Sequence, residues 1–259
     1  MLRPRIIPCL LLHNGGLVKS FQFAEHKYVG DPLNAVRIFN EKEVDEIIVL
    51  DIDASVLGRE PDYKLIASLA GECRMPLCYG GGVKTPEQVE RIISLGVEKV
   101  ALSSAALANP GLILESARRV GSQSIVVVLD VKKIGLFSKQ YELFTHNGKR
   151  ATGINPAELA RKVQSLGAGE VLVNSIDQDG TMKGYDMALI DLVREAVNIP
   201  MTVLGGAGSH ADISALFEAH GIIGAAAGSL FVFKGKYRAV LIQYPNQAEK
   251  DAITASCAG

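Results

Sequence analysis

Asp130 stands at the end of an apolar run, Ile125 to Leu129, and the matching run in the first half of the chain, Ile6 to Leu10, ends in Leu11. A carboxylate can take or give a proton at a reacting atom, and a leucine can do neither. Two glycine clusters, Gly80-Gly81-Gly82 and Gly205-Gly206-Ala207-Gly208, follow strand-like runs, and two later runs end in Ser103-Ser104 and Gly228-Ser229. Such turns bring backbone amides and helix N-termini close to phosphate oxygens. An isolated glycine cluster serves equally well as a tight turn. Occurring twice with hydroxyl residues nearby, the clusters predict two phosphate sites, Gly81, Gly82, Ser103 and Ser104 on one side, Asp179, Gly180, Gly205, Gly206, Gly228 and Ser229 on the other. The expected ligand is an elongated bisphosphate.

Positioning these residues requires strands that end at one mouth. Short β-branched runs alternate with helical patterns, and the runs 5–12, 46–52, 76–80, 99–102, 124–130, 170–176, 201–204 and 224–227 read as eight strands. Eight strands with intervening helices predict an α/β fold, a single closed (β/α)8 barrel spanning 1–259. Glu46 and Glu170, Asp53 and Asp177, Pro76 and Pro200, and Gly81 and Gly205 are each 124 residues apart. This internal repeat predicts two half-barrels, about 1–120 and 121–240, followed by a tail from about 245. Thr85, Pro86 and Gln88 spell a helix start, and Gly96 its stop. His146-Asn147-Gly148, between strand-like runs 137–144 and 150–154, is an Asn-Gly hairpin signal in a loop expected over the mouth. The stretch after Phe233 has no clear pattern.

Arg5, Glu46, Lys99 and Glu170 each begin a predicted strand, so their side chains meet at the opposite end of the barrel. Two cations and two anions there satisfy one another as a ring. A ring at that end ordinarily serves stability.

Composition narrows the remaining classes. The 259 residues are 48% hydrophobic and 21% charged with a formal net charge of -1, which supports a large core and gives no nucleic-acid footprint. Cys9, Cys73, Cys78 and Cys257 have no metal-ligand spacing, so no metal and no cofactor is expected, and the thiols read as reduced. The Arg3-Pro4-Arg5 start precedes a run too short for a signal peptide, and no 18-residue apolar stretch follows, so the expected location is cytoplasmic with no membrane partner.

The segments Arg5 to Leu10, Gly15 to Lys19, Asp51-Ile52, Gly80 to Gly82, Gly153-Ile154, Gly167 to Glu170, Ser175 to Thr181, Gly184 to Asp186 and Gly205 to Gly208 resemble the cyclase subunit of imidazole glycerol phosphate synthase over roughly residues 1 to 233. The resemblance implies a barrel that takes ammonia from a separate glutaminase subunit docked at its N-terminal face and uses it to cyclise a bisphosphorylated nucleotide. It implies that Arg5, Glu46, Lys99 and Glu170 are the ammonia gate and that Glu98 meets a basic residue of the glutaminase. In the family, aspartates ending strands one and five are the acid–base pair; here Asp130 remains and Leu11 replaces its partner, and Ser103 replaces an asparagine. Cyclase chemistry is therefore expected to be slow or absent, while Lys19, Asp51, Ser175, Asp177 and Asp179, which the resemblance implies at the mouth, keep it polar. The chain most resembles a divergent branch in which such a pair supplies ammonia for converting an acetamido to an acetamidino group on a surface-polysaccharide sugar, with a third, ATP-dependent amidotransferase doing the sugar chemistry. Two alternatives stand beside it: a working histidine-pathway cyclase with Asp179 or Asp177 as substitute, and a bisphosphate-binding scaffold that only activates the glutaminase.

Overall fold

The computed structural model describes residues 3–135 and 140–255. Eight parallel strands form the barrel: β1 (Arg5–His13), β2 (Ile47–Asp51), β3 (Leu77–Gly80), β4 (Lys99–Leu102), β5 (Ile125–Ile134), β6 (Glu170–Ser175), β7 (Met201–Leu204) and β8 (Gly224–Ala227). Each pairs with the next, and Arg5 opposite Gly224 through Pro8 opposite Ala227 closes β8 onto β1. The fold is a (β/α)8 barrel.

Strand period two sorts the side chains into two cores. Ile7, Cys9, Ile48, Cys78, Ala101, Val126, Val128, Leu172, Leu204 and Ala226 point inward and fill the barrel, with Leu11 and Leu50 against them at the mouth. The other parity of the same strands packs on the surrounding helices, for example Ile6, Val49, Val127 and Val173 against the layer containing Phe39, Leu69 and Phe217. Strands buried on both faces need apolar residues at every position, which is why they read as continuous runs.

The helices behind the strands are α1 (Pro32–Glu41), α2 (Tyr63–Glu72), α3 (Pro86–Ser94), α4 (Gly111–Val120), α5 (Pro156–Ser165), α6 (Met187–Arg194) and α7 (His210–His220). Thr85 caps α3 with a full capping box to Gln88, and Gly96, at φ 99°, ends the segment in a conformation that favours glycine. The stretch left without a pattern contains α8 (Gln247–Thr254), capped by Asn246 and Glu249. Before it, the Tyr244 hydroxyl donates to the Ile6 carbonyl at 2.8 Å and accepts from the Asp45 amide at 3.2 Å. Lys250 reaches Asp45 at 3.3 Å, so the last helix is fastened beside the starts of β1 and β2.

Two excursions rise above the mouth. Gly16–Phe21 and Ala24–Gly30 form an antiparallel hairpin on the end of β1, an element with no sequence expectation behind it. Gln140–Thr145 pairs with Arg150–Ala151, Thr145 opposite Arg150. The intervening turn is therefore four residues, His146 to Lys149, rather than the two of a tight Asn-Gly hairpin; His146, Asn147 and Gly148 all have positive φ. The part of that predicted strand from Phe137 to Lys139 lies outside the described residues, as does Cys257.

Candidate functional site

The inward parity of each strand sets the floor of the mouth. Its ends carry Leu11 on β1, Leu50 on β2, Gly80 on β3, Ser103 after β4, Asp130 on β5, Asn174 on β6, Leu204 on β7 and Gly228 after β8, and all eight line one open cavity. Polar and apolar positions are segregated. Ser103 Oγ donates to Asp130 Oδ2 at 3.2 Å and Asn174 Nδ2 donates to Oδ1 at 2.8 Å, so both carboxylate oxygens are held. Burial pushes the Asp130 carboxyl up to about 6, the two hydrogen bonds oppose the shift, and Asp179 adds to it. Across the floor, Leu11 lies opposite Leu50 in the ladder and presents only methyl groups.

Lys19 enters from the hairpin. Its buried ammonium donates to the Cys9 carbonyl and lies 2.7 Å from where a β-carbon on Gly228 would stand. Burial pushes the amine down from its ordinary range, opposed by Asp179. Asp179 accepts from Ser20 Oγ at 2.7 Å and the Phe23 amide at 3.1 Å, which ties the hairpin to the loop after β6; burial pushes its carboxyl up.

Gly81, Gly82, Ser103 and Ser104 line one end of the cavity, and Asp179, Gly180, Gly205, Gly206, Gly228 and Ser229 the other. The close backbone approaches are real: a β-carbon on Gly81 would stand 2.4 Å from the Asp51 carbonyl, and one on Gly206 would stand 2.0 Å from the Gly184 carbonyl. Asp51 lines the cavity, with its Oδ1 accepting from the amides of Asp53 and Ala54. Ser175 and Asp177 do not line it. With Glu170 pointing inward, period two sends 172 and 174 inward and Ser175 outward, which also identifies Asn174 as the polar residue that sequence reasoning passed over. Asp177 holds the Lys133 amide at 2.7 Å, as its repeat counterpart Asp53 holds the Asn14 amide at 2.7 Å, so this pair fastens loops in the two halves. Asn147, from the long loop, donates to the Ile52 carbonyl at 2.8 Å and bridges the halves above the mouth.

At the opposite end the four charges meet. Arg5 pairs with Glu46 and, at 2.6 Å, with Glu170; Lys99 reaches Glu46 at 2.9 Å and Glu170 at 2.8 Å. Thr202 is a fifth member, donating to Glu170 at 2.5 Å. It reads as one more core strand residue in Met201-Thr202-Val203-Leu204, and only its inward parity marks it. Burial alone would raise the Glu170 carboxyl, but Arg5 and Lys99 outweigh it and hold it down at about 2. Glu98 is exposed beside this ring, and its carboxylate accepts from the Leu77 amide at 2.7 Å.

Cys9 and Cys78 are buried in the barrel and Cys73 is half-buried, with burial pushing the thiols of Cys9 and Cys73 up to about 11 and 12. Among the described residues no group of three or more His, Cys, Asp or Glu is placed to hold a metal. No helix among them is long and apolar enough to cross a membrane.

A family profile described as histidine biosynthesis protein matches residues 5–238. The chain belongs to that family. Within it the chain is similar to HisF-like subunits. A protein of Vibrio vulnificus (strain YJ016), provisionally named imidazole glycerol phosphate synthase subunit hisF3, is 59% identical over 250 residues, 96% of each chain. One of Pseudomonas aeruginosa, provisionally named subunit hisF2, is 54% identical over 97% of this chain and 99% of its own. The imidazole glycerol phosphate synthase subunit HisF of Hyphomonas neptunium is 41% identical over 90% of this chain and 91% of its own.

Proposed function

We propose that this barrel receives ammonia from a glutaminase subunit at its N-terminal face and conducts it to the mouth for amidination of an acetamido sugar in surface-polysaccharide biosynthesis, the sugar chemistry belonging to a third, ATP-dependent amidotransferase. The observation that carries the reading is the contrast between the two ends. The ring of Arg5, Glu46, Lys99 and Glu170 is complete and fully paired, whereas the floor that would cyclise a nucleotide faces Asp130 with Leu11. Between them lies an apolar interior that favours a neutral small molecule over an ion.

The identity to a relative named as an imidazole glycerol phosphate synthase subunit keeps a working cyclase as the second reading. Asp179 lines the cavity and is the substitute acid such a cyclase would need; Asp177, engaged with Lys133, is outside it. One assay separates the readings. Given free ammonia and the family's bisphosphorylated nucleotide, the chain should turn over at a small fraction of an intact cyclase, because a lost acid–base partner typically removes about 10²–10⁴-fold. Turnover within tenfold of an intact enzyme would establish the cyclase instead.

A further inference from the structure

Large apolar side chains stand exposed around one sector of the mouth. Tyr28 is 65% exposed on the hairpin after β1, and Tyr237 is 88% exposed on a second, smaller hairpin after β8, in which Phe233–Lys234 pairs with Ala239–Val240. The two hairpins are fastened together. Lys27 Nζ donates to the Arg238 carbonyl at 3.0 Å and lies 4.9 Å from the centre of the Phe233 ring, while the Arg238 guanidinium donates to the carbonyl of Gly180, on the cavity wall, at 3.0 Å. Val240 is exposed on the same small hairpin, and exposed Leu57 extends the apolar rim to the loop after β2, which Asp53 ties to the first hairpin through the Asn14 amide. Apolar side chains scattered singly over a surface need no explanation, but a run of them edged by polar residues marks an interaction site. This run is edged by cations. Lys27, Lys234 and Lys236 are exposed on the two hairpins beside half-buried Arg238, and Glu25 is the carboxylate those hairpins carry.

A conduit that ends at an open mouth has a chemical difficulty. Ammonia released into water at neutral pH takes a proton, and the ammonium that results has no lone pair with which to attack, so the acceptor must close over the rim before the ammonia leaves it. We infer that the two joined hairpins, with Tyr28, Tyr237 and Val240 at the centre and Lys27, Lys234 and Lys236 around them, are the docking surface for the ammonia-accepting enzyme, which presents an apolar face with an acidic edge. Tyrosine and arginine are among the residues on which binding energy at protein interfaces concentrates, and the excess of cations selects the sign of the partner's edge. An anionic lipid surface would meet the same side chains, but it would leave the ammonia in water. The inference rests on reading the barrel as an ammonia conduit and deepens it by assigning the acceptor a place on the rim.

The test uses the full chain in complex with its glutaminase, immobilised, and the purified sugar amidotransferase of the same cell as the probe. The amidotransferase should bind, Tyr237→Asp should weaken binding by about tenfold or more, and Tyr237→Phe should retain it. Arg161→Asp, on the exposed face of α5, should leave the affinity within about twofold. Reversing Lys234 and Lys236 together to glutamate should slow association and flatten its dependence on salt. In Tyr237→Asp glutamine hydrolysis should continue and glutamine-dependent amination should fall, while amination from added ammonium salt stays at the wild-type level. Wild-type affinity in Tyr237→Asp, or no binding of the amidotransferase to the unaltered complex, would overturn the assignment. So would a dimer of this chain in sedimentation velocity, or its pelleting with phosphatidylglycerol vesicles, if either were abolished by Tyr237→Asp; the patch would then belong to a second copy or to a membrane. Ala226→Leu, buried in the barrel interior, should bind the amidotransferase as wild type does. Loss of conduction as a reading with binding intact, and loss of docking with conduction intact, are therefore separate results.

Discussion

Asp130 is held by two donors yet buried enough to raise its carboxyl to about 6, and this has a measurable thermodynamic signature. An acid whose folded value stands above its unfolded value binds its proton more tightly when folded. Its contribution is therefore favourable below about 3.8 and becomes a penalty as pH rises toward and past 6. Asp130→Asn keeps the shape and both hydrogen-bond partners while removing the charge. In urea unfolding the variant should match wild type near pH 4 and exceed it by about 2–3 kcal/mol above pH 7. A constant difference across that range would mean that the carboxyl is not desolvated. At the same scale, Leu11→Asp restores a second carboxylate to the floor. It should raise ammonia-dependent cyclisation measurably, and no gain would implicate Ser103 and the other altered positions.

At the scale of elements, the charged ring links the starts of β1, β2, β4 and β6 with a hydroxyl from β7. Removing one member of a buried set leaves the others uncompensated, at a cost of about 3–5 kcal/mol. Glu170→Gln should destabilise the chain by that order at pH 7. Because Glu170 is held down at about 2, its contribution is present above about 4.5 and declines as pH falls toward 2, so the difference from wild type should shrink over that window. Much of this scaffold was legible. The eight strands, the Thr85 cap and the Gly96 stop are written locally, in buried runs and cap residues, and the ring follows from charges at strand starts. The hairpin over the mouth was not. Ala24–Gly30 is exposed or half-buried along its length, and its ladder with Gly16–Phe21 carries two register irregularities, so neither alternation nor apolar runs mark it. Ser175 was expected at the mouth and Asn174 overlooked for one reason: strand position was read as proximity to the mouth, when side-chain parity decides which residue faces it.

For the whole molecule, the ring, the apolar interior and the mouth lie on one axis, and blocking that axis tests conduction. Val126 is buried in the inner layer, and Val126→Trp should fill it; Ala226→Leu is the milder block, since overpacking a core typically costs about 1–3 kcal/mol. With the glutaminase and the acceptor enzyme present, glutamine hydrolysis should continue while glutamine-dependent product falls, and added ammonium salt should restore it. Glutamate and aminated product measured together give the result. A ratio near one in both blocked variants would show that ammonia does not travel through the barrel, and the scaffold reading would replace conduction.

The fastening of Tyr244 to Ile6 joins residues 238 positions apart, and β8 closes on β1 over a similar separation. At typical translation rates of about 5–20 residues per second, roughly 12 to 48 s separate the synthesis of the two partners. During that interval β1 has neither of its distant neighbours, and Arg5 and Glu46 wait for Glu170 and Thr202. A half-made chain thus exposes an unpaired strand edge and a partial ring of charge, the kind of surface on which nascent chains associate wrongly. The same closure that seals the finished barrel leaves one edge of its first strand open until its last strand has been made.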